Sequence, residues 1–512
     1  MSEELLQHHH GMMSNEVTNE QQEEVSINDD LVSDEQQIQN NEEEYTPINY
    51  NMLCYDMNEP HIDSCASRHV HDNYSSSFTL PIDCIEHILS FFRMKERLAL
   101  SLVSSDWNRA FEKSIKQLSL SKMKSDYWLK HQKLLKTFVM RFPEIQLMNF
   151  EAPAEGMRSA SKADLTLRFS MDLIQFLLKI LPSSLKSFSF SHFACGLSTK
   201  SFELIIPEDK QLRELAIINC KHCDNLSIKG CNNLTQLSIS WASFFPAIEW
   251  NELKNLRVLN LSHNKAVNDE IVNQLVSNCP NLEKLILVGA SAIQSPFKDV
   301  SISALKTLDL SATNIVDSCI EHICSGSALI LVELKVRTCM HLVNPVFKEL
   351  PSVVSILCNF NSNIQTSSFH KLPSLEKLDL DGNTSLKEIW LYQCKNITYL
   401  DISKTLVDDK ALAEVLEESP ELRELYVIKC YKLKSPHIVH DKLEILKLTN
   451  SNNLTKHTVI DCPSLSVQNV VGTPLEEGFF IKFPHREDIR ETVELTKVGK
   501  VKHQLTILTN KK

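Results

Sequence analysis

Two motifs in this chain bring reactive side chains close together. "CIEHI" occurs at residues 84–88 and again at 319–323, placing a thiol, a carboxylate and an imidazole within four positions. Such a set could form half a metal site, or a nucleophile with its base. "CKHC" at residues 220–223, with Cys231 beyond it, could open a zinc site, but no second pair at suitable spacing follows. The elements that carry these residues decide between the readings.

The dominant element is a repeat. From Leu185 onward an apolar residue, two variable ones, an apolar, one variable, an apolar and two variable residues lead to Asn, Cys or a small residue, as in "LRELAIINC" from Leu212, "LKTLDLSAT" from Leu305 and "LEKLDLDGN" from Leu375. Copies start at 185, 212, 234, 256, 282, 305, 331, 353, 375, 397, 422, 443 and 465, with looser ones at Ile115 and Phe142. A period of 21 to 27 residues marks a solenoid. Alternate residues of a strand face opposite sides, so Leu308 and Leu310 enter a core while Thr307 and Asp309 face outward. One unit cannot bury its leucines alone, whereas stacked units can, at about 1.5–3 kcal/mol per large apolar side chain.

Units of 25 to 27 residues carry a helical pattern on their back, such as "DEIVNQLVSNCP", and units of 22 show a second extended piece, such as "LKEIWLYQC". Cys220, Cys339 and Cys430 fall three residues after the second strand apolar, the slot held by Asn264 and Asn383 in other copies; Cys231 and Cys394 take the matching slot on the back. This pattern resembles the cysteine-containing leucine-rich repeats, in which Asn or Cys satisfies backbone groups at the turn out of the strand. It implies an α/β solenoid, a horseshoe with parallel strands on its concave face. The repeat register therefore already accounts for Cys220 and Cys231 without zinc.

Ahead of the repeats, "FTLPIDCIEHILSFFRMKERLALSLVSSDWNRAF" predicts three short helices, with Pro81 in the first turn and Ile85, Ile88, Leu89 and Phe92 on one face. So few residues rarely enclose a core alone, so part of this apolar surface is expected to be covered by the first repeats and part by another protein. The stretch resembles an F-box, through Leu80-Pro81, Asp83, Ile85, "HIL" at 87–89, "LALSLV" at 98–103 and Trp107; Ser104 stands where that family commonly has Cys. The resemblance implies a substrate receptor of Skp-cullin-F-box ubiquitin ligases. Leu80, Pro81, Ile85, Val103 and Trp107 would then hold a Skp-type adaptor, and through it a cullin, while the repeats hold a protein substrate. A repeat scaffold or inhibitor without a ligase is the alternative. In both copies of CIEHI the isoleucines are expected to form the packing face of a helix, with Cys and His beside it.

The resulting division is an acidic, disordered tail over 1–77, an F-box over 78–114, the repeat solenoid over 115–472 and a cap or tail over 473–512. Net charge is −12, yet residues 1–77 hold 17 acidic residues against Arg68 alone, which leaves the remainder at +4. Neither part favours nucleic acid or an anionic membrane. The start "MSEELLQHHH" lacks a signal-peptide pattern, no apolar run approaches 18 residues, and 15 cysteines read as free thiols, so a cytoplasmic or nuclear protein is expected. With 10 glycines, no phosphate-cradling loop, no HExxH and no GxSxG, neither catalysis nor a cofactor or metal is expected, and His8, His9 and His10 read as solvated tail. Outward strand positions include Lys335, Arg337, Lys377, Tyr399 and Tyr426, which are the candidate substrate contacts, with Asp379, Asp381 and Asp401 beside them. Alternating Val493 and Leu495, a turn at Gly499, and Val501, Leu505 and Ile507 predict a terminal hairpin.

Overall fold

The computed structural model describes residues 80–92, 94–120, 131–151, 172–192, 202–220, 226–326, 328–477, 492–495 and 503–506. The acidic tail with its three histidines, and His222 and Cys223 of CKHC, lie outside the described residues. Three helices come first: α1 (Ile82–Ser90), α2 (Met94–Ser101) and α3 (Ser105–Ser114). Beyond them the apolar period of two within each unit builds a front sheet of 15 strands, from Gln117–Leu120 at one edge to Val467–Asn469 at the other. The strands that pair across it run parallel and in step, so Leu285, Leu308, Leu334, Ile356, Leu378, Leu400, Leu425 and Leu446 stand in one row. Every member of that row is fully buried.

Three of the longer units fold their back as helices, at Asp269–Asn278, Asp317–Ser325 and Asp409–Glu417. The 27-residue unit from Leu185, also expected to be helical there, instead carries the strand Phe202–Ile205, which pairs parallel with Leu226–Lys229 of the next short unit. Short units have no room for a helix and use strands, such as Val346–Lys348, Thr366–His370 and Glu388–Tyr392, which pair parallel with one another. Asn268 and Asp408 cap their helices by accepting the N–H of Ile271 and Ala411. The first helical residue then clamps the next unit: Asp317 accepts the N–H groups of Val343 and Asn344 at 3.0 and 2.9 Å, and Asp409 accepts those of Lys434 and Ser435 at 2.9 and 2.8 Å. After the last units, Thr492–Leu495 pairs antiparallel with His503–Thr506 as a hairpin.

Among the described residues, each front strand from Ser187–Ser191 onward is followed by a left-handed residue. Trp241, His263, Ala312, Thr338, Phe360, Lys404, Lys429 and Asn450 all have φ between 54° and 59°. That conformation costs about 1–2 kcal/mol for a side chain with a Cβ. It also turns the N–H toward the next unit, where it is accepted by a carbonyl, as from Thr338 to Asn359 at 3.0 Å and from Lys429 to Thr449 at 2.9 Å. The following residue is the buried slot, where Cys339 and Cys430 donate from Sγ to the carbonyls of Leu310 and Ile402, both at 3.2 Å. Burial pushes both thiols up to about 11.

Candidate functional site

Two surfaces emerge from this frame, one on the three helices and one on the front sheet. In the helices, Pro81 presets an extended approach (φ −54°, ψ 143°), and its carbonyl accepts the N–H groups of Cys84 and Ile85 to start α1. Arg97 binds the corner after α1 by donating from Nε to the Phe92 carbonyl at 2.7 Å and from Nη2 to that of Ser90 at 3.2 Å. Ser104 caps α3 by accepting the N–H of Trp107. Ile85 and Leu89 of α1 and Ala110 and Phe111 of α3 are buried.

The apolar side chains left outside lie between residues 80 and 103. Leu80 is 39% exposed, Val103 65% and Leu102 84%, with Phe91, Phe92 and Leu98 exposed as well. Of the five residues read from sequence as adaptor contacts, Leu80, Pro81 and Val103 are exposed and Trp107 is half-buried. Ile85 needs correction. It is 2% exposed, because α1 is amphipathic and turns that position onto its own chain, so it supports the surface from beneath. The sequence reading missed Phe91, Leu98 and Leu102, although the "SFF" and "LALSLV" runs carry more apolar residues than one helix face can bury.

Most described residues of the reactive motifs pack against their own chain. Cys84 is exposed and His87 stacks edge-on against Phe91 at 5.1 Å. In the second copy Ile320 and Ile323 are buried as expected, but Cys319 is fully buried too, because this back helix is covered over a wider arc by the neighbouring units. Burial holds its thiol well above the ordinary value. His322 Nδ1 lies 3.3 Å from Ser295 Oγ and 3.2 Å from the Pro296 carbonyl. Cys220 and Cys231 are both buried, with the Cys231 thiol pushed up to about 12 by burial. Among the described residues, no group of three or more His, Cys, Asp or Glu could hold a metal ion. No helix among them is long and apolar enough to cross a membrane.

On the front sheet the candidate residues fall into two groups. Lys377, Tyr399 and Tyr426 come from three neighbouring strands, with Lys377 Nζ 5.2 Å from the Tyr399 ring and the two tyrosine rings 5.2 Å apart. Lys447, overlooked in the sequence, extends the row at 4.7 Å from the Tyr426 ring. It stands one unit beyond Tyr426 in the same register. Lys335 and Arg337 lie apart, separated by the strand Ser355–Leu357, and Lys335 is paired with Glu333 at 3.3 Å. Asp379 and Asp401 lie two residues after Lys377 and Tyr399 on the same strands, and Asp381 follows Asp379 two residues on. Burial pushes the Asp401 carboxyl up to about 7, against the hydrogen bonds from Ser403, and raises Asp379 and Asp381 as well. Tyr426 donates its hydroxyl to Glu424 at 3.0 Å, and burial raises it to about 12.

The F-box model matches residues 78–117. Residues 78–117 are an F-box domain. That span runs three residues past the boundary expected from sequence, into the first front strand. Among curated proteins none matches this chain. Among solved structures, the complex of Rad7 and Elc1 in yeast aligns at 15% identity and a TM-score of 0.31, covering 71% of this chain and 92% of that one. The TLR13–ssRNA13 complex aligns at 14% identity and a TM-score of 0.42, covering 72% of this chain and 59% of that one.

Proposed function

We propose that this chain is the substrate receptor of a Skp-cullin-F-box ubiquitin ligase. In this reading the F-box holds a Skp-type adaptor, which links it to a cullin, and leucine-rich repeats of the cysteine-containing type form a horseshoe whose strand face holds the protein to be modified. The chain itself is a binding subunit and not an enzyme, working in the cytoplasm or nucleus without nucleic acid or membrane as partner.

One observation carries the reading. The F-box coincides with the run of large apolar side chains, Leu80, Phe91, Phe92, Leu98, Leu102 and Val103, left outside its core. Each would contribute up to about 1.5–3 kcal/mol if fully covered, and exposed large apolar side chains gathered in one small domain mark a docking site. The front-sheet residues Lys335, Arg337, Lys377, Tyr399 and Tyr426 are the proposed contacts to a folded or unmodified protein substrate.

Copurification tests this. The wild-type chain is expected to bring down a Skp-type adaptor, and the double variant Leu80→Asp, Pro81→Asp to lose it. If the wild type captures no adaptor, or the variant captures as much, the chain is instead a repeat scaffold or inhibitor whose first helices only close the stack.

A further inference from the structure

The two rims of the last units hold their lysines differently. On the rim where the chain enters the front strands, cations are matched to acids one unit away, as Arg423 is to Glu444 and Lys442 to Glu421. On the opposite rim, where the left-handed residues turn the chain out of the sheet, Lys404, Lys429, Lys432, Lys434 and Lys456 are all exposed. Among the described residues, Lys404 alone of these five has an ion partner, Asp381 at 3.4 Å. In the units from Leu282, Leu305, Val353 and Leu375 the same turn is neutral, with Ser291, Asn314, Asn363 and Thr384 in place of the lysines.

Backbone bonds bring the five together. Lys404 donates its N–H to the Ile428 carbonyl and Lys429 its own to that of Thr449, so the two hold the same left-handed position in successive units. Their backbones therefore lie about 4.8 Å apart. Lys432 and Lys434 follow in the loop after Lys429, and Thr455, next to Lys456, donates its N–H to the Lys434 carbonyl at 2.6 Å. Tyr431, 49% exposed, stands in the same loop. The carboxylates of this rim are already engaged: Asp408 accepts the Ala411 N–H, Asp409 accepts those of Lys434 and Ser435, and Asp381 is held by Lys404. Lys429 acts on Asp381 only at longer range. Like charges thus stand side by side without counterions, at a cost in mutual repulsion.

We infer that this ridge binds an acidic segment of a partner protein, a run of Asp and Glu side chains lying along Lys429, Lys432, Lys434 and Lys456. The inference rests neither on the front-sheet contacts nor on the adaptor. An extended segment presents every second side chain to one side, about 6.7 Å apart, and long, flexible lysines can meet that spacing. The ridge holds no arginine, so it lacks the planar fork that grips a single phosphate, while separate ammonium groups suit charge spread along a segment. Nucleic acid demands a broad basic surface, and the chain beyond residue 77 carries only +4. Tyr431 adds a ring of the kind that interfaces favour.

The test uses the full chain and dye-labelled peptides in which glutamate alternates with glycine and serine, or glutamine replaces the glutamate, read by fluorescence anisotropy at low salt. The glutamate peptide is expected to bind about tenfold tighter than the glutamine peptide, and to be released as salt rises toward about 1 M. The triple variant Lys429→Gln, Lys432→Gln, Lys456→Gln is expected to weaken it about tenfold, and arginine at the same three positions to keep wild-type affinity. A control triple, Lys133→Gln, Lys136→Gln, Lys387→Gln, removes equal charge from exposed positions elsewhere and is expected to bind as the wild type does. Thermal melts confirm that the variants, all at exposed positions, fold. Absent binding, equal binding of the two peptides, full affinity in the ridge variant, or an equal loss in the control overturns the inference. So does tighter binding of a single-phosphoserine peptide, a DNA duplex or phosphatidylserine vesicles, each of which assigns the ridge to another ligand.

Discussion

The backbone N–H of Asn361 donates to the side-chain oxygen of Asn383, one unit further on, at 2.7 Å. Asn361 in turn accepts the N–H of Cys339 at 2.5 Å, and Asn383 donates from Nδ2 to the Cys358 carbonyl at 2.8 Å. Both asparagines are fully buried. The chain of bonds ties each strand-ending turn to the next and closes backbone groups that no water can reach. A solenoid lacks contacts between distant units, so its cohesion depends on such links between neighbours.

Asn383→Leu removes both partners at once. The Asn361 N–H and the Cys358 carbonyl are left buried and unmet, at about 1–3 kcal/mol each. Chemical denaturation should show a loss of roughly 2–5 kcal/mol, whereas Asn363→Ala, whose exposed amide donates to the Met340 carbonyl, should change little. Equal effects of the two would show that the ladder is not what holds the turns.

Much of this fold can be read from spacing alone, because leucines at fixed intervals leave one way to bury them. Helical or extended backs follow unit length except in the 27-residue unit from Leu185, whose strand Phe202–Ile205 continues the back sheet of the short units after it. The left-handed positions are not readable: Trp241, Thr338, Phe360 and Lys404 carry no preference for that conformation, which is imposed by the carbonyl offered from the next unit. Ile85 was misassigned because an amphipathic pattern tells which residues are apolar but not which of two coverings, own chain or partner, each one meets.

That last distinction yields a prediction. Leu102→Asp and Val103→Asp place charge on side chains already in water, so the melting temperature should fall by no more than a degree or two, about 0.5 kcal/mol, while adaptor capture is lost. Ile85→Asp buries a charge and should unfold the F-box, seen as loss of helical signal and of protease resistance. If Leu102→Asp lowers stability as much as Ile85→Asp does, the outer surface is part of the core.

Thiol reactivity separates Cys84 from the repeat cysteines. Iodoacetamide acts on the thiolate, and burial suppresses that form at Cys231, Cys339 and Cys430 as well as hiding the sulfur. Peptide mapping of the native chain should find Cys84 alkylated and these three modified only after unfolding. Bound adaptor should slow Cys84, which lies in α1 next to the exposed patch. Rapid native labelling of Cys339 would contradict its place in the ladder.

At Gly289 the left-handed turn leaves no room for a side chain. Its φ is +67°, and an added Cβ would run into the His263 ring at Nδ1. His263 is itself stacked on Trp241, with ring centroids 3.8 Å apart, so it cannot swing away freely. Gly289→Ala should lower stability by about 1–3 kcal/mol through this overlap and the backbone strain. Adding His263→Ala should restore the part due to overlap. No restoration would mean the strain alone acts.

The buried carboxyl of Asp401 makes stability depend on pH in the direction opposite to that of an ion-paired acid. Its pKa is about 7 in the folded chain and about 3.9 when unfolded. The folded state therefore holds the proton over that interval while the unfolded state has released it. The linkage relation then gives stability that is fully present below about pH 4 and falls as pH rises toward 7. Asp379 and Asp381, raised by the same burial, add in the same sense. Asp401→Asn cannot ionise and removes this group's share. Urea unfolding at pH 5 and pH 8 should show the variant gaining on the wild type by on the order of 2 kcal/mol between the two. The exposed acids Glu283, Glu349 and Glu421, lowered by their lysine partners, titrate alike in both proteins and cancel in the comparison. A difference that stays constant across that range would mean Asp401 is ionised at pH 5 and is not held protonated by burial.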